Sequence, residues 1–368
     1  MMIPFVDLSA QYRSIKSEID NAIKECIDET NFIKGKAVTV FERRFADYLG
    51  VDYCIGCGNG TDALEIILSA LKIGSGDEVL VPALTWISTA EAVTNVGAEP
   101  VFVDIESQTY TIDTTKIEEK ITKRTKAIIP VHLYGSPADM NEIIKIAEKY
   151  RLFIIEDCAQ AHGAEYFGRK VGTFGIASAF SFFPSKNLGA YGDGGAIVTN
   201  NKDLGDSVRK ISNHGQLEEK HKHFIVGRNS RLDSIQASIL SVKLKYLDAW
   251  NNRRREVASF YISRLREKKE FVLPVQEQSK KHVYHLFVIR CRQREKLIEL
   301  LEEKKISWGI HYPNALPFID PYRYKKHKPQ DFTNSSDIIK DIISIPIYPE
   351  LTELQLNMIC DQLLKYNE

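Results

Sequence analysis

Short apolar runs alternate with helix-length segments through the first half of the chain, and this alternation restricts the fold more than any other feature. The runs occupy residues 79–81, 100–103, 127–131 and 153–155. Segments of helical pattern lie around them at 61–72, 85–96, 116–121 and 139–150. Strands apolar on both sides need cover on both sides, which crossover helices provide for a parallel sheet. The pattern predicts an α/β fold with a mostly parallel mixed sheet between helices. Two more strand candidates follow, in ASAFSFF and GGAIVTN. From about Arg231 the texture changes to a long helical stretch over 235–268, a strand in HVYHLFVIRC, and helices in REKLIELLEEK and LTELQLNMICDQLLKY. A large unit over residues 1–245 and a smaller C-terminal α+β unit over 246–368 are expected.

Charge narrows the function classes. Lys+Arg and Asp+Glu both number 49, a net charge of +0, whereas nucleic-acid binders present a basic face. No apolar run approaches the ~18 residues of a membrane span. The opening MMIPFVDLSAQYRS lacks the basic-then-apolar pattern of an export signal, so a cytoplasmic location is expected. Cys54 and Cys57 form a C-x-x-C with no second pair to complete a zinc knuckle. VDYCIGCGNG reads as a buried strand entering a glycine turn, so core packing and no metal are expected.

Four features carry chemistry. In LFIIEDCAQAHGA, Glu156 and Asp157 end an apolar strand, where open α/β sheets place ligands; an acid there also serves as a plain helix cap. In GCGNGTDALEIILSAL, a strand, a glycine turn and a helix start would hold an anion on free N–H groups and the Thr61 hydroxyl. The same threonine reads equally as an N-cap, and the stretch fits neither the dinucleotide nor the P-loop pattern. Trp86 opens another helix after a strand end, where core packing is the commoner use. Lys186, in FFPSKNLGAYGDGGAIV, sits between apolar residues and a loop rich in glycine, away from the solvated faces lysines normally occupy. Together, a phosphate cradle, an aromatic, a strand-end acid and a secluded lysine are the parts pyridoxal 5′-phosphate needs: a Schiff-base amine, a carboxylate for its ring nitrogen and donors for its phosphate.

At these residues the chain resembles the DegT/StrS-type nucleotide-sugar aminotransferases, which have the fold-type-I aspartate aminotransferase architecture. The resemblance runs through FERRFADYLGVDYCIGCGNGTDAL, IIEDCAQAHGA, SFFPSKNLGAYGDGGA, VGRNSRLDSIQASIL, GIHYP and IPIYPELTE. It implies that Lys186 holds the cofactor and moves a proton between the donor's Cα and the cofactor. Asp157 would pair with the ring nitrogen, Gln160 with the ring hydroxyl, and Trp86 would stack on the ring. Gly60, Thr61 and Ser181 would hold the phosphate. Asn229 would reach it from a partner subunit, so a homodimer is implied. Arg231, His311 and Tyr312 match positions that contact the nucleotide. Family dehydratases carry histidine where Lys186 stands, so amino transfer is implied.

The loop K-N-L-G-A-x-G-D-G-G-A over 186–196 is similar to that of enzymes acting on 3-keto sugars, against a K-N-x-T-T-x-E-G-G pattern for 4-keto sugars. C3 transamination of a dTDP- or UDP-linked 3-keto sugar, with L-glutamate as donor, is therefore implied. The product would enter surface polysaccharides such as O-antigen or related glycans. Gly194 and Gly195 are expected to line the sugar's approach. Lys220, Lys222, Arg228 and Arg231, with His214, His221 and His223, are the local cations open to a diphosphate. C4 transfer, another enzyme using the same cofactor and a catalytically silent regulatory relative remain alternatives. The second would want a catalytic cysteine loop or a carboxylate-binding arginine, and neither stands out in the sequence.

Overall fold

The computed structural model describes residues 2–217 and 221–366. Seven strands form one sheet: β1 (Tyr53–Cys57), β2 (Glu78–Pro82), β3 (Glu99–Val103), β4 (Thr125–Ile128), β5 (Phe153–Asp157), β6 (Ala177–Ser181) and β7 (Gly195–Thr199). Their spatial order is β1-β7-β6-β5-β4-β2-β3. β2 runs parallel to β3 and β4, β4 to β5, and β5 to β6. Only β7 opposes its neighbours, pairing antiparallel with both β6 and β1. This is the α/β fold with a mostly parallel mixed sheet of the fold-type-I enzymes.

Period two sorts the strand residues between two layers. Val79 and Val81 of β2 pack with Ile66 and Ile67 of helix α1 (Gly60–Ala70) and Val93 of α2 (Ser88–Asn95). Leu80 points the other way, onto Met140, Ile143 and Ile146 of α3 (Met140–Tyr150). Each such side chain contributes roughly 1.5–3 kcal/mol when fully buried. The same alternation settles the C-x-x-C. Three residues apart on β1, Cys54 and Cys57 enter different core clusters on opposite faces. Burial raises the pKa of both thiols, and both are free.

Two expected helices differ in the structure. Segment 116–121 folds as two single 3₁₀ turns, Thr114–Lys116 and Glu118–Lys120, the first capped by Asp113 accepting the Thr115 N–H. Only Ile117 is buried there, too little apolar surface to hold a longer helix against the sheet. The stretch 235–268 divides into α4 (Ser234–Leu244) and α5 (Leu247–Leu265). Lys245 and Tyr246, at the break, both reach Glu18.

The chain's second half adds an antiparallel sheet of Phe271–Val272, Phe287–Cys291 and Ile342–Ile345. Its core gathers Tyr261, Phe287, Ile343 and Ile359, together with Ile3 from the other end of the sequence. Ile3 is fixed there by backbone bonds of 2.9 Å with Lys305 and Ser307. Among the described residues no helix is long and apolar enough to cross a membrane.

Candidate active site

Residues at or just beyond the carboxyl ends of β1, β2, β5 and β6 line one cavity of about 740 Å³, where open α/β sheets take their ligands. Glu156 and Asp157, adjacent on β5, face opposite ways. Glu156 is fully buried and accepts the N–H groups of Gly172, Phe174 and Gly175 at 2.6–2.8 Å. It also pairs with His132 Nε2 at 3.0 Å, while His132 Nδ1 accepts the Ala138 N–H. Glu156, His132 and Cys158 have metal-ligand spacing. The carboxylate and the ring are already fully engaged, so they act as a brace under the strand end.

Asp157 lines the cavity. Its Oδ2 accepts the Thr89 hydroxyl at 2.8 Å and its Oδ1 the Ala159 N–H at 3.1 Å. Burial raises its pKa, against those two bonds and the nearby Lys186 charge. Lys186 follows β6 in a loop pinned by its neighbour. Asn187 Nδ2 donates to Asn251 Oδ1 (2.8 Å) and to the Val283 carbonyl (3.1 Å). The Lys186 side chain is half-buried and opens on the cavity. Desolvation therefore pushes its pKa down to about 8, despite the Asp157 charge. A buried carboxylate and an amine close to neutrality thus share one enclosure.

The other expected residues are placed unevenly. Asn59 caps α1, accepting the Asp62 N–H at 2.8 Å. Gly60 and Thr61 open that helix, where N–H groups have no intrahelical acceptor. A Cβ on Gly60 would sit 2.8 Å from the Ser181 Cβ, so this approach requires glycine. The Thr61 hydroxyl donates to Ser88 at 2.7 Å. Trp86, 57% exposed, stands at the cavity with its ring 5.6 Å from that of Tyr312. Gln160 Oε1 accepts the Tyr134 N–H (2.7 Å) and its Nε2 donates to the Tyr312 hydroxyl (2.8 Å). His311 bonds Ser344 Oγ through Nδ1 at 2.8 Å and stacks on Phe5. Burial and the Lys186 charge lower its pKa to about 4, so it is a neutral group and no cation for a diphosphate.

Asn229 and Arg231 do not line the cavity of their own chain. Asn229 is exposed, and Arg231 Nη1 donates to Asn213 Oδ1 at 3.1 Å. The cation cluster also differs from expectation: Arg228 is engaged by Asp62 at 2.8 Å and by Glu65. Lys220 lies outside the described residues. Gly194 and Gly195 do not line the cavity either. A Cβ on Gly194 would meet Leu232 Cδ1 at 3.1 Å, and one on Gly195 the Asn59 carbonyl at 2.4 Å. These glycines serve packing inside the loop and the close approach of β7 to the turn before α1. Sequence reasoning passed over Ser88, Thr89, His285 and Arg254, which the fold brings to this site.

The profile of the DegT/DnrJ/EryC1/StrS aminotransferase family matches residues 13–364. The chain belongs to that family. It is 42% identical to the "pleiotropic regulatory protein" of Geobacillus stearothermophilus, covering 100% of this chain and 99% of that one. It is 45% identical to the dTDP-3-amino-3,6-dideoxy-alpha-D-galactopyranose transaminase of Aneurinibacillus thermoaerophilus, covering 99% of each. The crystal structure of S. venezuelae DesV in complex with a ketimine intermediate superposes with a TM-score of 0.96. It is 38% identical and covers 99% of this chain and 98% of that chain.

As a DegT/DnrJ/EryC1/StrS aminotransferase, the chain uses pyridoxal 5′-phosphate. The cavity suits that group. Asp157 is a buried acid held by two neutral donors, which leaves it free to take a ring N–H. The helix start at Gly60–Thr61 offers N–H groups to a phosphate, and exposed Trp86 offers a flat apolar face.

Proposed function

We propose that this aminotransferase moves the amino group of L-glutamate to C3 of a nucleotide-linked 3-keto sugar, with a dTDP-linked 3-keto-6-deoxyhexose as first choice. One observation carries the reading: Lys186, with its pKa lowered by burial, and buried Asp157 line the same cavity at the sheet's carboxyl edge. The K-N-L-G-A-x-G-D-G-G-A loop and the Aneurinibacillus relative support C3 over C4 and dTDP as the carrier. The regulatory name of the Geobacillus relative suggests a silent protein, but the presence of Lys186, Asp157 and Gln160 favours catalysis.

Bound pyridoxal 5′-phosphate supplies an electron sink for the bond broken at the donor's Cα. Lys186 Nζ, part neutral around pH 8, would take the proton from the donor's Cα and pass it to the cofactor, and in the second half-reaction would deliver one to the sugar carbon that receives the amine. Asp157 keeps a proton on the ring nitrogen, Gly60, Thr61 and Ser181 hold the phosphate, and Trp86 covers one ring face. Gln160 orients the ring hydroxyl, and Tyr312, its hydrogen-bond partner, borders the sugar's entry with His311.

The same reading includes a cytoplasmic homodimer that makes amino sugars for surface glycans. Exposed Phe224, Ile225 and Val226 (the last 96% exposed) lie beside Asn229 and would be covered by a partner whose cavity Asn229 enters. Arg231 then meets the nucleotide at that junction. Purified protein should carry the visible absorbance of a lysine-bound cofactor, bleach with glutamate and recover with the keto sugar. Lys186→Ala should lose the starting band. A protein that takes up no cofactor contradicts the proposal.

A further inference from the structure

Arg254 lies in the middle of α5 and is 4% exposed, yet it lines the same cavity as Lys186 and Asp157. Its Nη1 donates to the carbonyls of Ile347 (2.7 Å) and Tyr284 (3.2 Å). Nε and Nη2 have no partner among the described residues, and no carboxylate there pairs with the guanidinium. Glu350 is the acid whose field reaches it, without an ion pair. Desolvation lowers the pKa to about 10, so the group stays charged at neutral pH. A buried cation without a counter-ion is costly, and an anionic ligand would relieve that cost.

His285 connects this cation to the lysine. Its ring takes a 3.2 Å bond with Asn187 Oδ1, next to Lys186. Burial above all, and then the charges of Lys186 and Arg254, hold it neutral. Arg254, His285 and Lys186 thus line one cavity, and the ring among them adds no positive charge of its own. The cofactor phosphate has separate donors at the start of α1. What remains for Arg254 is the charge on the other reactant. We propose that Arg254 binds a carboxylate of the amino-acid donor, using Nε and Nη2 as a two-pronged donor set while the two backbone carbonyls fix its orientation. This rests on the aminotransferase reading above and names the group that gives the donor half-reaction its substrate.

The test uses the cofactor-loaded protein and glutarate, a dicarboxylate with no amine to transfer. Arg254→Met should weaken glutarate binding in calorimetry roughly 30- to 1,000-fold, the usual loss for a desolvated charged hydrogen bond. The KM for glutamate should rise in the same range, and nucleotide-sugar binding should change by less than about threefold. Glutarate binding within about threefold of wild type, in a folded and loaded variant, overturns the proposal. Should Arg254→Met not fold, Arg254→Gln decides in its place: it still donates to one backbone carbonyl and carries no charge. Weakened glutarate binding there supports the anchor and unchanged binding refutes it. A wild-type protein that takes up no cofactor defeats the functional reading itself. A transaminating wild type beside an unaffected variant defeats this inference alone.

Discussion

At the residue scale, the Asp157 and Lys186 assignments make separable predictions. Asp157→Asn should still load cofactor but lose about 10²–10³-fold in the rate of amino transfer, since an amide does not hold the ring nitrogen protonated. Single-turnover spectra with glutamate measure this, and an unchanged rate at full occupancy contradicts the assignment. For Lys186, the folded pKa of about 8 lies below the unfolded value of 10.5. Folding therefore penalises the charged form, fully below pH 8, and the penalty fades as pH rises toward 10.5. Cofactor-free Lys186→Met should be more stable than cofactor-free wild type by about 1–3 kcal/mol at pH 7, with the gap closing near pH 10. Denaturant melts at the two pH values check the sign. The places of Asp157 and Lys186 at the cavity were legible because an acid ends an apolar strand and a lysine stands away from solvated faces. Arg254 was not, because NNRRRE reads as a solvated charge run. Its neighbours are half-buried: Arg253 pairs with Glu256 and donates to the Leu351 carbonyl, and Arg255 bonds Asn252. The overlooked signal was spacing. Leu247, Asn251, Arg254, Ala258, Tyr261 and Leu265 recur at steps of three and four and are all buried, which puts the middle arginine on the inner stripe.

At the scale of elements, the sheet was legible because strands covered on both faces leave unbroken apolar runs. The failures occurred where tertiary contacts decide. The pattern at 116–121 offers one buried isoleucine and yields two 3₁₀ turns. The glycines of the lysine loop were expected to clear the sugar's path, but no sequence pattern shows which backbone each one faces. Their different surroundings give a paired prediction. A Cβ on Gly195 meets the Asn59 backbone, which cannot yield without moving the start of α1. Gly195→Ala should then cost about 1–3 kcal/mol and loosen cofactor retention. Gly194→Ala meets mainly the Leu232 and Phe182 side chains, which can adjust. It should cost less than about 1 kcal/mol and retain the cofactor. Thermal melts with a cofactor titration compare the two, and equal effects would contradict this packing account.

At the scale of the whole molecule, one chain presents a cavity without Asn229 or Arg231, and both residues lie outside it on the same strip of sequence. A site shared between subunits follows if Asn229 completes the partner's cavity. Mixing Lys186→Ala with Asn229→Ala subunits should then produce hybrid dimers with one intact site and measurable activity. Mixed dimers no more active than either parent would rule the shared site out. The regiochemistry rests on the loop after Lys186 and on relatedness, since nothing in loop composition dictates which sugar carbon meets the amine. The most direct measurement supplies ¹⁵N-glutamate and a dTDP-linked 3-keto-6-deoxyhexose to the cofactor-loaded enzyme and locates the label in the product by NMR. The label should appear on C3, and Lys186→Ala should transfer none. Label on another carbon, or none from a fully loaded wild type offered dTDP- and UDP-linked 3-keto sugars alike, would contradict the account.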